Sequence, residues 1–162
     1  MQKTLQQVLD EAAIKDVHIR YCRGIDRMDW DLVRSCYHPD AIDDHGEYVG
    51  GIDGFIEYCK NGTPNFLGTF HFTGNQLVEV NGDTAWAEHY ARAYHRVKGT
   101  PPKDLVTNVR YVDRFERRNG DWRILTRLIV VDTDRVDPVN ESWVPDVQLR
   151  AKRDKSDPSY SF

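Results

Sequence analysis

Apolar positions along the first part of the chain recur at helical spacing. Leu5, Val8, Leu9, Ala12, Ala13, Val17, Tyr21 and Ile25 fall on one stripe, and Thr4-Leu5-Gln6-Gln7 stands at its head as a capping box. In such a box each side chain satisfies a backbone N–H that the helix start leaves open. The pattern predicts one amphipathic helix over 5–23, weakened at Gly24, with Ile25 and Asp26 at its exit. Asp29 is placed to cap a second, short helix through Trp30, Leu32, Val33 and Tyr37, ended by His38-Pro39. Residues 41–49 predict a first strand, unusually polar at Asp43, Asp44 and His45, and after Gly50-Gly51 the stretch 52–60 predicts a third helix.

Beyond Asn61-Gly62-Thr63-Pro64 the period shortens to that of strands. Segments 69–80 and 84–97 flank the turn Asn81-Gly82-Asp83, and 105–117 and 122–132 flank Asn119-Gly120, so two long hairpins are predicted. From Asp134 the chain is charged, proline-containing and aperiodic, and is read as an extended arm over 134–162 that lies on a neighbour through Trp143. The body, 1–133, is therefore α+β: a curved antiparallel sheet with three N-terminal helices on its concave face, enclosing an internal pocket between the layers.

Composition narrows the function without naming it. With 162 residues, 40% hydrophobic and 30% charged, the chain suits a single globular core. A net charge of −4 excludes a nucleic-acid surface or an anionic membrane as the expected partner. No apolar run reaches the length of a membrane span, and Met1-Gln2-Lys3-Thr4 leads directly into a polar segment, so a cytoplasmic protein is expected. Cys22, Cys36 and Cys59 form no metal-ligand spacing and read as reduced thiols.

Strand alternation sorts the candidate chemistry. His71 shares a face with Thr69, Thr73 and Asn75, with Phe70, Phe72 and Val78 on the other. On 84–97 one face reads Ala85, Ala87, His89, Ala91, Ala93 and His95, and small neighbours leave room for a ligand above His89. Because the 81–83 turn makes these strands neighbours, His71 and His89 are expected to point into the same space. Arg127 alternates with Leu125, Ile129 and Val131, and a guanidinium on an apolar face needs a partner. That partner is either a carboxylate, Asp26 or Asp113, or a substrate oxygen. Taken singly, His71 and His89 read as core histidines and Asp26 as a helix-end residue; His18, His38 and His95 read as structural or exposed. Together, Asp26 at the helix exit and His71 at the strand start form a carboxylate-oriented imidazole, a device for removing a proton at neutral pH. No phosphate loop, dinucleotide fingerprint or nucleophile elbow is present. Asp26, His71 and His89 would suit a metal by residue type but not by spacing, so neither a metal nor a cofactor is expected.

A resemblance runs through these residues. Gly24-Ile25-Asp26-Arg27, Trp30-Asp31-Leu32, Pro39-Asp40-Ala41, His71-Phe72-Thr73-Gly74 and Phe115 to Arg123, in that order, resemble the SnoaL-like proteins. These are cone-shaped α+β domains that include scytalone dehydratase, hexachlorocyclohexane dehydrochlorinase and bile acid 7α-dehydratase. The resemblance covers about residues 5–130 and implies a cofactor-independent lyase acting on a small cyclic or polycyclic, largely apolar substrate. Asp26 and His71 match the family's catalytic pair. His89 matches a second catalytic histidine of the dehydratase, and Arg127 an arginine with which the dehydrochlorinase helps a halide depart. Tyr21 stands where the dehydrochlorinase has a lysine, and Ile25 and Asp44 where the dehydratase has two tyrosines. Tyr21, Asp44 and Arg127 are accordingly expected to touch substrate. The resemblance also implies a homo-oligomer, a trimer before a dimer, joined through the sheet's outer face by Trp86, Tyr90 and Tyr94. Two alternatives stay open: an isomerase or cyclase using the same pair, and a non-catalytic binding or assembly subunit such as the small subunit of aromatic-ring dioxygenases.

Overall fold

The computed structural model describes residues 2–139 and 150–161; Trp143, the expected anchor of the arm, lies outside them. The first helix, α1, runs Leu5–Arg27, further than expected. Its capping box forms: Thr4 Oγ accepts from the Gln7 N–H at 3.2 Å and Gln7 Oε1 accepts from the Thr4 N–H at 2.9 Å. Gly24 does not end the helix. Its missing side chain lets α2 (Trp30–Ser35) close on α1, since a Cβ there would meet Val33 Cγ2 at 2.7 Å. The helix stops at Met28, which takes the left-handed conformation at φ 51°, and Asp29 caps α2 by accepting from the Leu32 N–H at 3.3 Å. Of the expected stripe Val17, Tyr21 and Ile25 are buried, with Ile14 beside them, while Leu5, Val8 and Leu9 face solvent.

Tyr37 opens a strand instead of closing α2. The expected single strand over 41–49 is two, β1 (Tyr37–Asp44) and β2 (Val49–Gly51), and α3 follows at Ile52–Gly62. Four long strands complete the sheet: β3 (Phe66–Asn81), β4 (Thr84–Val97), β5 (Lys103–Arg118) and β6 (Asp121–Pro138). The last strand includes Asp134–Pro138, which the sequence pattern assigns to the arm. Asn119 and Gly120 at φ 54° and 88° make the β5–β6 turn, matching the twist that a two-residue hairpin requires.

The six strands form one curved sheet in the order β2-β1-β6-β5-β4-β3, with the β1–β6 pair parallel and the others antiparallel. α1 lies across the inner face against β3 and β6. Between them Ile14, Val17, Phe55, Phe115 and Ile124 are at most 2% exposed, each contributing about 1.5–3 kcal/mol by leaving water. The outer face is less covered, with Phe70 58% and Phe72 60% exposed.

Two bulges correct the alternation. The β3–β4 register shifts between Thr73 and Gln76. Beyond it Val78 turns inward to 7% exposure and Asn75 turns out, the reverse of the expected faces. A second shift, opposite Arg114 and Phe115, pushes Leu125 off the inner face, so Arg127 shares that face with Ile124 and not with Leu125.

Candidate active site

A cavity of about 600 Å³ opens between the helices and the inner face of the sheet. Ile25 from α1, Phe55 from α3, Phe66 from β3, Val109 from β5 and Ile129 from β6 make most of it apolar. Polar groups enter at two places.

The first is His71. The last turn of α1 carries Asp26 to the start of β3, where Asp26 Oδ1 accepts from His71 Nδ1 at 2.7 Å and Oδ2 accepts from the His71 backbone N–H at 2.9 Å. Both side chains are largely sealed, at 6% and 10% exposure for His71 and Asp26. Burial pushes the Asp26 carboxyl up, but the imidazole, the backbone N–H and Thr69 together hold it below the ordinary value. With Nδ1–H committed to Asp26, Nε2 carries the lone pair, and the ring lines the cavity. The His95 ring stands edge-on to it, with centroids 5.5 Å apart. His95, read from sequence as structural or exposed, is a cavity-wall residue; burial pushes it down to about 4, so it is a neutral neighbour near pH 7.

The second place was missed in the sequence reading. The chain reverses after β1 through Gly46 at φ 76°, which turns His45 onto the cavity wall. His45 Nδ1 is hydrogen-bonded to Asp43 Oδ1, and its Nε2 lies 3.2 Å from Tyr21 Oη. Asp43 is fully buried and also accepts from Tyr37 Oη at 2.6 Å. Tyr21 lines the cavity. Asp44 does not: its carboxylate accepts from the Gly46 N–H at 3.0 Å and caps the reversal. An Asp-Asp-His-Gly run was the available signal, hidden by reading 41–49 as one strand.

His89 and Arg127 lie behind the cavity wall. β3 pairs His71 with Ala93, while His89 pairs with Gln76 beyond the bulge. Four residues along β4 separate His89 from Ala93, about 13 Å. His89 is fully buried, with its ring stacked on His18 at 4.1 Å and neither ring nitrogen hydrogen-bonded. Burial, with the nearby charges of Arg127 and Lys15, pushes it down to about 3. Arg127 donates to both oxygens of Asp113, at 2.8 and 2.7 Å. It also reaches Tyr37 Oη at 3.2 Å and lies 4.1 Å above the Tyr21 ring. Burial disfavours its charge, but Asp113, Tyr37 and Tyr21 more than offset this and keep the guanidinium protonated. Of the partners the sequence offers, the carboxylate Asp113 is the one it takes.

His18, His89 and Asp113 bring ligand atoms within 4.8 Å of one another. The two rings are parallel to within 5°, so their in-plane lone pairs do not converge on one ion, and Arg127 already holds Asp113. The set does not fit a cation. Cys59 lines the cavity, but burial pushes its thiol up to about 12, which keeps it un-nucleophilic.

The neutral histidines set the acid limit of the fold. The ordinary histidine value is 6.5, and burial depresses His18 well below it, His89 to about 3 and His95 to about 4. Between those values and 6.5 the unfolded chain binds more protons, so their stabilisation is complete above pH 6.5 and is lost as pH falls. Asp26, held below 3.8, keeps its own contribution to lower pH. Equilibrium urea denaturation should show stability falling by several kcal/mol from pH 6.5 to pH 4. A flat profile across that window would contradict the burial of these three rings.

Comparison with known proteins agrees with this fold. A family model described as a SnoaL-like domain matches residues 6–128. An uncharacterized protein of Mycobacterium tuberculosis is 30% identical over 129 residues, covering 77% of this chain and 87% of that one. Among solved structures, a type 2 hexachlorocyclohexane dehydrochlorinase superposes with a TM-score of 0.77 at 19% identity, over 89% of this chain and 99% of that chain. A candidate scytalone dehydratase from Novosphingobium aromaticivorans gives 0.73 at 18% identity, over 89% and 97%. At those identities the two structures are alike in fold.

Proposed function

The chain belongs to the SnoaL-like family, and from that premise we propose that it is a cofactor-independent lyase that removes a proton from carbon in a cyclic, largely apolar substrate. The observation that carries the reading is the 2.7 Å contact between His71 and Asp26 on the wall of an open, mainly apolar cavity. Asp26 fixes the tautomer with Nε2 as base and stabilises the imidazolium that forms. Proton removal beside a carbonyl has three outcomes, elimination, isomerisation and cyclisation, and elimination is the one assigned here. A non-catalytic assembly subunit of the same fold would have its cone filled by aromatics and no close carboxylate–imidazole contact, and neither description suits this cavity. The test is turnover of a panel of cyclic hydroxy-ketones by the native chain, His71→Ala and Asp26→Asn. Full activity in both variants would sink the reading.

The proposal extends to assembly. Trp86 and Tyr94 are half-buried on the outer face of β4, Tyr90 is exposed, and Phe70 and Phe72 of β3 lie exposed on the same face. This suits a homo-oligomer formed through the sheet, a trimer before a dimer. Sedimentation velocity should give a trimer for the native chain and smaller species for Phe72→Glu; a native monomer at micromolar concentration would rule the assembly out.

A further inference from the structure

The proton-abstracting pair uses one of the cavity's polar places and leaves the other unemployed. His45 directly follows β1 and His71 lies on β3, near opposite ends of the sheet order, and both line the same space. We propose that Asp43, His45 and Tyr21 form a proton-delivery relay for an oxygen leaving group, so that the substrate is a cyclic β-hydroxy carbonyl compound and the elimination a dehydration. This rests on the assignment of His71 as base.

The hydrogen bonds define the direction of the relay. Tyr37 Oη donates to Asp43 Oδ2 at 2.6 Å, which leaves Oδ1 to accept Nδ1–H of His45. His45 Nε2 then faces Tyr21 Oη at 3.2 Å. When His45 is neutral, the phenol donates to Nε2. When His45 is protonated, Nε2–H donates to the phenol oxygen and frees the phenolic proton for a ligand in the cavity. Burial holds the Tyr21 phenol well above its ordinary range, so a phenolate formed there is promptly re-protonated from His45. The groups facing His45 are Asp43 near the end of β1, Tyr21 from α1, and Tyr111 and Asp113 from β5, with Phe55 of α3 stacked on the ring at 4.3 Å.

The leaving group follows from what the wall offers. Halide departs without a proton and benefits from a cation beside it; hydroxide must be protonated as it leaves. The guanidinium of Arg127 is sealed behind the Tyr21 ring and bonded to Asp113. In the step proposed, His71 Nε2 takes the proton from the carbon next to the carbonyl, and that electron pair becomes the new C=C bond. The C–O bond breaks with its electrons. The departing oxygen takes the Tyr21 proton and leaves as water, while Nε2–H of His45 passes to Tyr21 Oη. His71 ends protonated and His45 neutral, and exchange with solvent restores both.

The experiment compares the β-hydroxy and β-chloro derivatives of cyclohexanone as probes, following enone formation by the full chain. His45→Gln should slow the hydroxy probe by about 100-fold and leave the chloro probe within about threefold of native. His71→Ala should slow both. If His71→Ala leaves both rates intact, the base assignment fails. If His71→Ala slows both and His45→Gln slows both equally, the relay alone fails. Histidine nitrogen NMR supplies a readout independent of turnover: Nδ1 of His45 should carry a hydrogen-bonded proton in the native chain, and Asp43→Asn should abolish that signature. An Nδ1 signature of His45 unmoved by Asp43→Asn overturns the relay. His45→Gln removes a partner of the fully buried Asp43, so its two rates are compared with each other on the folded protein, where a general loss of stability would slow both probes alike.

Discussion

Replacing His71 with alanine is expected to lower kcat for elimination by about 10²–10⁴-fold, the usual worth of a positioned general base. KM should change little, because the Nδ1–H of His71 donates its hydrogen bond to Asp26 and the ring offers a ground-state substrate only an acceptor. The cavity left by the ring should admit free imidazole and recover part of the rate. Asp26→Asn is the more informative partner. The carboxylate accepts two donors from His71, one from the ring and one from the backbone. An amide has one acceptor oxygen; with its NH₂ turned to Nδ1 it forces the ring proton to Nε2 and makes the base a donor. The loss should again be about 10²–10⁴-fold, and the double variant should be no worse than the poorer single one, since the two act as a unit. Steady-state kinetics on any substrate that the native chain turns over checks all of this, and additive losses would contradict it.

Arg127→Met should destabilise the fold by about 3–5 kcal/mol, because it leaves the Asp113 carboxylate buried without its counter-charge. Both side chains are fully enclosed, and the bidentate contact satisfies two carboxylate oxygens at once. Removing the guanidinium also strips a donor from Tyr37 Oη at 3.2 Å and a neighbour from His18 Nδ1 at 3.3 Å. The double replacement Arg127→Met with Asp113→Leu should recover most of the loss, since a well-packed apolar pair needs no desolvation offset. Urea denaturation distinguishes the cases. A single variant as stable as the native chain, or a double variant worse than the single one, would show that the pair is not desolvated as described. Activity of the folded fraction should survive in either variant, which separates Arg127 from the groups on the cavity wall.

Up to the first bulge of each strand, periodicity in the sequence identified which residues face inward, and not how deep they lie. The pairing of Asp26 with His71 was legible because a helix exit and a strand start are fixed points, and the family resemblance joined them. His89 has the same inward parity as Ala93 and His95, yet His18 of α1 stacks over it, and no pattern along β4 reveals what a helix will cover. Arg127 was legible as a guanidinium needing a partner; its choice of Asp113 follows from cross-strand register, where the two residues pair directly. His45 was hidden by a boundary: a polar run that reads as one strand breaks at Gly46, and the break gives the side chain its direction. Asn75 and Val78 exchanged faces because one bulge inverts all alternation beyond it.

That bulge between Thr73 and Gln76 has an evolutionary consequence. It divides β3 into two stretches whose alternation is independent: before it, Thr69 and His71 line the cavity; after it, Val78 packs in the core. A change that repacks the distal stretch need not rotate His71, and a change that reshapes the proximal wall need not disturb Val78. One strand can thus accumulate substitutions that reshape the cavity wall and substitutions that repack the core independently.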